Sequence, residues 1–341
     1  MTRLSRRHLT LGLFASAAVA AAGGIGLALG PSERAVIVGA GPAGAGAALA
    51  LRAAHPGLRV ALLERDPTRL ARETGDAAAA AFGPPQTAAT LARLKAQGIE
   101  VMLDDVTDVD WTAGRLSLFS GRDAAFDRLY LAPGTTARAE AIAGLDAEAR
   151  YAMPAAWGNA REARRLAAQL AALPEAGHVV LRLPAELSHP QVALHRALML
   201  SRHLAATRPA ARLTVLDATP TPALAQAFAL AKRLQGIAAQ VAWITAAEGA
   251  SVQAVDARTG RIDTAAGRLS ADVINFVPPH VAGAIAQTAG LVDASGWCPC
   301  DARGRSMLRS EAVVLGDARK GAARTLDGAR LSVAAATLAQ A

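Results

Sequence analysis

The chain has 341 residues, with 36 basic against 28 acidic side chains, a formal charge of +8, two cysteines and 4% aromatic residues. That length exceeds one ordinary domain, and 52% hydrophobic with 19% charged residues excludes a disordered or collagen-like chain, leaving a core to be built from Ala, Leu and Val. All but three of the basic residues are Arg, dispersed without a basic block, helix-turn-helix or zinc-finger spacing, which argues against nucleic acid as a partner; two Cys two residues apart exclude a multi-disulfide framework.

The N-terminus reads as an export signal. Arg6 and Arg7 precede two apolar positions, and an Ala/Gly/Leu stretch from Leu11 to Gly30 carries no charge. Basic, mildly apolar and small-residue regions in that order describe a twin-arginine signal over residues 1–30, with a site after Ala22 that suits cleavage better than one before Pro31 and the body delivered to a bacterial periplasm. If the segment is not cleaved, it is a single membrane anchor. Twin-arginine export carries folded proteins, often around a cofactor.

Ala35–Val38 is a short apolar run of the kind buried on both faces of a parallel sheet, and Gly39-Ala-Gly41-Pro-Ala-Gly44 follows at once, leading into an Ala/Leu helix to about Ala54. Gly39 permits a tight turn, Gly41 lets the backbone approach a pyrophosphate, and Gly44 lets helix and strand pack closely, with Ala43 small between them. The helix N-terminus offers amide groups and a positive dipole end to phosphates. A second strand, Leu58–Leu63, ends on Glu64, 20 residues beyond Gly44, where a carboxylate reaches adenosine ribose hydroxyls. Strand, loop, helix and acid together predict a dinucleotide site.

Farther on, Asp127–Gly134 is an apolar strand entering a small-residue turn, and Ala312-Val-Val-Leu-Gly-Asp317 is a buried strand ending in Gly-Asp before a helix from about Leu326. Similar features occur in flavoproteins with two dinucleotide domains. That similarity implies FAD, with Gly134 in the turn at the cofactor and Asp317 on the ribityl chain. The alternative for Asp317 is a surface turn acid. Between these segments, a helix over Asn159–Ala172, strands at Val179–Leu181 and Leu213–Leu216 (ending on Asp217), a helix at Thr221–Leu234 and a strand at Gln240–Ile244 predict a second Rossmann-like unit. Its loop, Arg182–His189, contains no glycine, so its backbone cannot approach a pyrophosphate. The expected fold is α/β, two Rossmann-like three-layer domains, with an FAD-binding domain (31–147 and 271–341) discontinuous around a degenerate NAD-type domain (148–270).

Val36–Gly44, Gly98–Val101, Phe126–Gly134, Met153–Trp157, Ala271–Pro279, Ala289–Leu291, Gly296–Pro299 and Gly316–Ala318 occur in one order across residues 34–340, and on them the chain resembles the flavoprotein subunit of flavocytochrome c sulfide dehydrogenase. The resemblance implies a twin-arginine-exported FAD protein that oxidises sulfide and passes electrons to a c-type haem subunit. This chain keeps Cys298 of the Trp-Cys-Pro run but departs from the pattern at the flavin-linking and redox sulfurs. Where the family attaches FAD through Cys, residues 65–80 hold none and the counterpart is near Arg72. Where the family has its first redox Cys, the stretch is Ser188-His189-Pro190-Gln191. The second redox Cys belongs to a C-terminal extension beyond the position of Ala341. Non-covalent FAD is therefore expected.

Cys298 and Cys300 read either as structural thiols or as a small strained disulfide serving as a substitute redox pair. His189, His195 and His203 match no metal-ligand spacing; His189 is a packed residue or a base at the lost Cys position. Trp157 and Trp297 pack the core or contact the flavin. The residues assign no catalytic group. Two readings follow: an FAD oxidoreductase passing electrons from a small sulfur compound to a c-type cytochrome, or a non-catalytic FAD- or partner-binding relative acting in sulfur-oxidation assembly.

Overall fold

The computed structural model describes residues 33–70 and 89–338; the expected signal segment and Arg72 lie outside them. Among the described residues no helix is long and apolar enough to cross a membrane.

Two parallel sheets organise the chain. In the first, β1 (Arg34–Val38) pairs with β2 (Arg59–Glu64) on one side and with β7 (Arg128–Leu131) on the other, while β3 (Glu100–Leu103) and β17 (Ala312–Val314) close the two edges. All four pairings are parallel, and β1 is almost wholly buried, as its apolar run requires. Helix α1 (Pro42–Ala54) covers one face together with α8 (Leu326–Leu338), an interface of small residues in which Ala43, Ala47, Ala329 and Val333 are buried. The other face is covered by an antiparallel meander, β4 (Val106–Asp110), β5 (Arg115–Leu118) and β6 (Asp123–Ala125), and by α7 (Ala284–Thr288).

The second sheet has the order β11 (Gln240–Thr245), β10 (Arg212–Asp217), β9 (His178–Leu183), β15 (Val273–Phe276), again all parallel. Helices α4 (Ala160–Ala171), α5 (Pro190–Thr207) and α6 (Ala223–Leu234) pack on it through Leu166, Leu200 and Phe228. A meander of β12 (Val252–Asp256), β13 (Arg261–Thr264) and β14 (Gly267–Ser270) covers the opposite side. The membership of β15 corrects the expected boundary at residue 271: Val273–Phe276 completes the middle sheet beside β9, and the chain returns to the first sheet only afterwards. The two crossings between domains are tied to each other, because β8 (Thr135–Ala137) and β16 (His280–Ala282) form an antiparallel ribbon.

Asn275 explains why two of the family-like segments travel together. Its Nδ2 donates to the carbonyls of Pro154 (2.8 Å) and Ala155 (2.7 Å), and its Oδ1 accepts from Nη1 of buried Arg196 (2.9 Å). Arg196 also donates to the carbonyls of Ala155 and Ala156, and burial lowers its pKa to about 10, still charged at neutral pH. One amide thus clamps the Met153–Trp157 segment to β15 and α5. Asn275→Ala should lower stability by about 2 kcal/mol in urea unfolding, because it takes the side-chain donor from the buried Pro154 carbonyl, one of two donors from Ala155 and one acceptor from the buried Arg196 guanidinium; a midpoint unchanged within error would contradict the clamp.

Candidate functional site

The first loop is shaped by two close approaches. Gly39 has φ +97°, and a Cβ there would collide with the Ala132 carbonyl oxygen; a Cβ on Gly44 would collide with the Gly39 carbonyl oxygen. Both positions therefore demand glycine for packing alone. Gly41 is different. It is the N-cap of α1, in extended conformation, with no side-chain cap, and a Cβ there would meet only Arg69 Nη1 at 3.8 Å. Among the described residues no other atom beyond its chain neighbours lies within 4 Å of that position, and helix geometry leaves first-turn amides directed toward it.

Glu64 is placed at this loop as the spacing predicts, but its side chain also does something the spacing did not reveal. It is buried, and its Oε2 accepts from Ala40 N (2.7 Å) while Oε1 accepts from Asp66 N (2.8 Å). The carboxylate braces the glycine loop; each oxygen keeps a second lone pair that a ribose hydroxyl can use. Gly134, with φ +62°, lies beyond the tip of β7, and its carbonyl accepts from Gly283 N at 2.9 Å, so this turn rests on the returning chain before α7. Asp317 sits in a 3-10 turn, Gly316–Ala318, directly after β17. Gly316 has φ +70°, and a Cβ on it would stand 2.9 Å from that of Ala43, so this turn abuts the start of α1. Gly39, Gly41, Ala43, Gly44, Glu64 and Asp317 thus converge on one end of the first sheet, with Gly134 flanking.

Arg69 escaped the sequence reading. Besides overhanging Gly41, it donates through Nη2 to the Gly158 carbonyl at 3.3 Å, which holds a cation over the mouth of the loop. The only sequence signal is a basic residue in the turn after Glu64.

Asp317 faces a cluster from the middle domain. His189 Nε2 lies 3.6 Å from Asp317 Oδ2, and its Nδ1 is 2.5 Å from Ser188 Oγ. The rings of His189, His280 and Trp157 surround one another at centroid separations of 6.2–6.3 Å. Burial, with the nearby His189 adding to it, lowers the His280 pKa to about 4, so this imidazole is neutral at neutral pH. His195 and His203 stand apart from this group along α5, and among the described residues no cluster of metal ligands occurs. Cys298 and Cys300 are free thiols; burial raises them to about 12 and about 11, and the Cys300 thiol donates to the Cys298 carbonyl. The structural reading of these thiols therefore fits the geometry better than a redox pair, because neither forms thiolate readily.

Beyond the tips of β9 and β10 a cleft of about 450 Å³ opens, lined by Glu186, Ser188, Thr219, His280, Trp297 and Arg324, among others. In a Rossmann unit this is where a nucleotide lies. Here the fittings are used internally. Arg182 at the end of β9 pairs with both oxygens of Glu140 (2.7 and 2.6 Å) and donates to the Val277 carbonyl; Glu186 pairs with Arg138 at 2.8 Å. Buried Asp217, at the β10 position of a ribose-binding acid, accepts from Thr219 N, Thr219 Oγ1 and Trp243 Nε1.

Comparison with known proteins agrees with this frame. Residues 33–180 match the family model described as pyridine nucleotide-disulphide oxidoreductase, and residues 163–278 match that of the central part of the sulfide dehydrogenase (flavocytochrome c) flavoprotein chain. The fold is shared with the sulfide:quinone oxidoreductase of Aquifex aeolicus (TM-score 0.62, 17% identity, 85% of this chain and 69% of that one). It is shared also with a ferredoxin reductase from Rhodopseudomonas palustris (0.64, 19%, 90% and 76%) and with a NAD-dependent persulfide reductase from A. fulgidus (0.65, 16%, 89% and 59%). The two family matches overlap at residues 163–180 and together span residues 33–278, over which the chain is similar first to the pyridine nucleotide-disulphide oxidoreductases and then to the sulfide dehydrogenase flavoprotein. Over residues 163–278 it resembles the central part of the flavoprotein chain of flavocytochrome c sulfide dehydrogenase.

A flavin dinucleotide fits the first loop: the open space at Gly41, the uncapped start of α1 and the Arg69 cation are complementary to a pyrophosphate. Gly41→Val should therefore yield folded protein without flavin, since the added side chain meets no protein atom closely but fills that space; absorbance at the flavin bands, set against an unchanged melting profile, measures this. The second cleft should not serve a nicotinamide. On rapid anaerobic mixing, NADH and NADPH are expected to leave the flavin oxidised, whereas reduction within seconds would show the middle domain to be a working nicotinamide site.

Proposed function

We propose that the protein is an exported FAD-binding oxidoreductase related to sulfide dehydrogenase, one that carries electrons from a small sulfur compound to a c-type cytochrome or a similar acceptor and holds its FAD without a covalent bond. The observation that carries the reading is the open, cationic loop of Gly39–Gly44 and Arg69 standing beside Asp317, in a chain whose middle segment matches the sulfide dehydrogenase flavoprotein. FAD supplies, when bound, a two-electron acceptor. This chain's residues bind and orient it. The α1 amides and Arg69 take the phosphates, Glu64 keeps the loop in register, and Asp317 takes a ribityl hydroxyl. Trp157, His189 and His280 form an ordered wall beside Asp317.

Proton handling at this wall falls to Ser188 and His189. They occupy the segment where the family resemblance implies a redox thiol, and His189 bridges the cleft-lining hydroxyl of Ser188 to Asp317. The imidazole can hold a proton at Nε2 against Asp317 or accept one at Nδ1 from Ser188. Buried, protonated Cys298 and Cys300 offer no substitute for thiol chemistry. That same lack of a reactive thiol favours the second reading, a non-catalytic FAD-binding relative that acts in the assembly of a sulfur-oxidation system.

Anaerobic addition of sulfide to the purified protein separates the two: bleaching of the flavin band supports the oxidoreductase, and a flavin that stays oxidised sinks it. Precipitation with acid should release all flavin into the supernatant, given that residues 65–80, where the family resemblance implies the attachment, hold no cysteine. Flavin remaining with the pellet would refute non-covalent attachment.

A further inference from the structure

The cleft at the tips of β9 and β10 has lost its dinucleotide fittings yet keeps one cation. Arg324 lines it and has φ +48°, a left-handed conformation that a long side chain adopts at a cost and that marks sites held by their surroundings. Its guanidinium stacks on the Trp297 ring, 3.7 Å from the centroid. Stacking fixes the plane and leaves the N–H donors directed along it. Those donors are poorly served. Among the described residues Nε is buried without a hydrogen-bond partner, while Nη1 and Nη2 reach the carbonyls of Ala322 and Arg319 only at 3.4 and 3.5 Å. Asp317 is the carboxylate that acts on it electrostatically, and it forms no ion pair with Arg324 among the described residues; Glu186 across the cleft is held by Arg138.

We infer that this cleft binds a small organic anion, a carboxylate or a sulfonate, whose oxygens pair with the Arg324 guanidinium. A single guanidinium suits a monoanion, which it can meet with two parallel N–H···O bonds. The remaining wall is mixed, with Leu187, Pro190, Pro220, Leu224 and the Trp297 ring offering apolar surface to a compact hydrocarbon body beside the polar Ser188, Thr219 and Thr221, and about 450 Å³ is sufficient room. A dinucleotide is not the ligand, since the loop after β9 carries side chains where the phosphates would lie. The inference goes beyond the electron-transfer reading and holds whether or not the bound anion is itself oxidised.

Titration calorimetry of the flavin-loaded protein with benzoate, benzenesulfonate and neutral benzamide tests it. Both anions should bind about ten-fold more tightly than benzamide, the difference expected of one charge-assisted pair. Arg324→Gln should abolish that preference with flavin content unchanged, and Arg324→Lys should keep part of it. Equal affinity for anion and amide, no binding of either anion at millimolar concentration, or a preference surviving in Arg324→Gln would overturn the inference. Loss of flavin from folded Arg324→Gln would overturn it as well, by assigning Arg324 to the cofactor site. The comparison of anion with amide on the unaltered protein stands even if the Gln variant fails to fold.

Discussion

The approach of Gly44 to the Gly39 carbonyl is the contact on which the rest of the first domain depends. Strand β1 and helix α1 can lie this close only because Gly44 has no Cβ, while the bare Gly39 lets the same turn sit against Ala132, and the closeness carries the start of α1 to the tip of the sheet with its amides facing outward. Ala43 then fits beneath Gly316, so that β17 delivers Asp317 to the same spot from a chain position some 270 residues away. Glu64 locks the arrangement from the other side by bonding Ala40 N. A loop held on three sides is rigid before any ligand arrives, and preorganisation of this kind lowers the cost of binding.

The middle domain shows the same Rossmann frame without that contact. Its strands remain parallel, with β9, β10 and β15 buried, since Leu181 and Val215 on the strands and Leu200 on α5 are needed for the core whatever the loop does. What has changed is the use of the polar groups at the strand tips. Arg182 neutralises Glu140, Glu186 meets Arg138, and Asp217 is saturated by Thr219 and Trp243. Buried polar groups must be paired, and once the nucleotide no longer does so, the protein's own side chains do. The β8–β16 ribbon holds this closed domain against the open one, so the cleft between them keeps its shape and Arg324 is left at its edge.

The steric part of the site was legible in the sequence. The spacing of Gly39, Gly41, Gly44 and Glu64 encodes a strand, a turn and a helix in immediate succession, and the local chain alone determines where those residues fall. The parallel strands were legible for a similar reason: short apolar runs, such as Ala35–Val38 and Val179–Leu181, have no other place to go than between neighbours. Non-local pairing was not. Val273–Phe276 joins β9 rather than the first sheet, and an apolar run looks alike in either. The direction of side chains was equally hidden. Glu64 could be placed but not seen to brace Ala40; Asn275 stood within a recognisable run without revealing that it clamps Pro154 and Ala155; and nothing in the spacing distinguishes Arg69 or Arg324 from the other arginines of a chain that is rich in them.

One measurement tests the central claim, that of two Rossmann-like units only the first holds a dinucleotide. The nucleotide released by denaturing the purified, folded protein should be identified by chromatography and counted against protein. The account predicts one FAD per chain and no nicotinamide dinucleotide. A chain that releases no flavin, or that releases NAD or NADP, would contradict it.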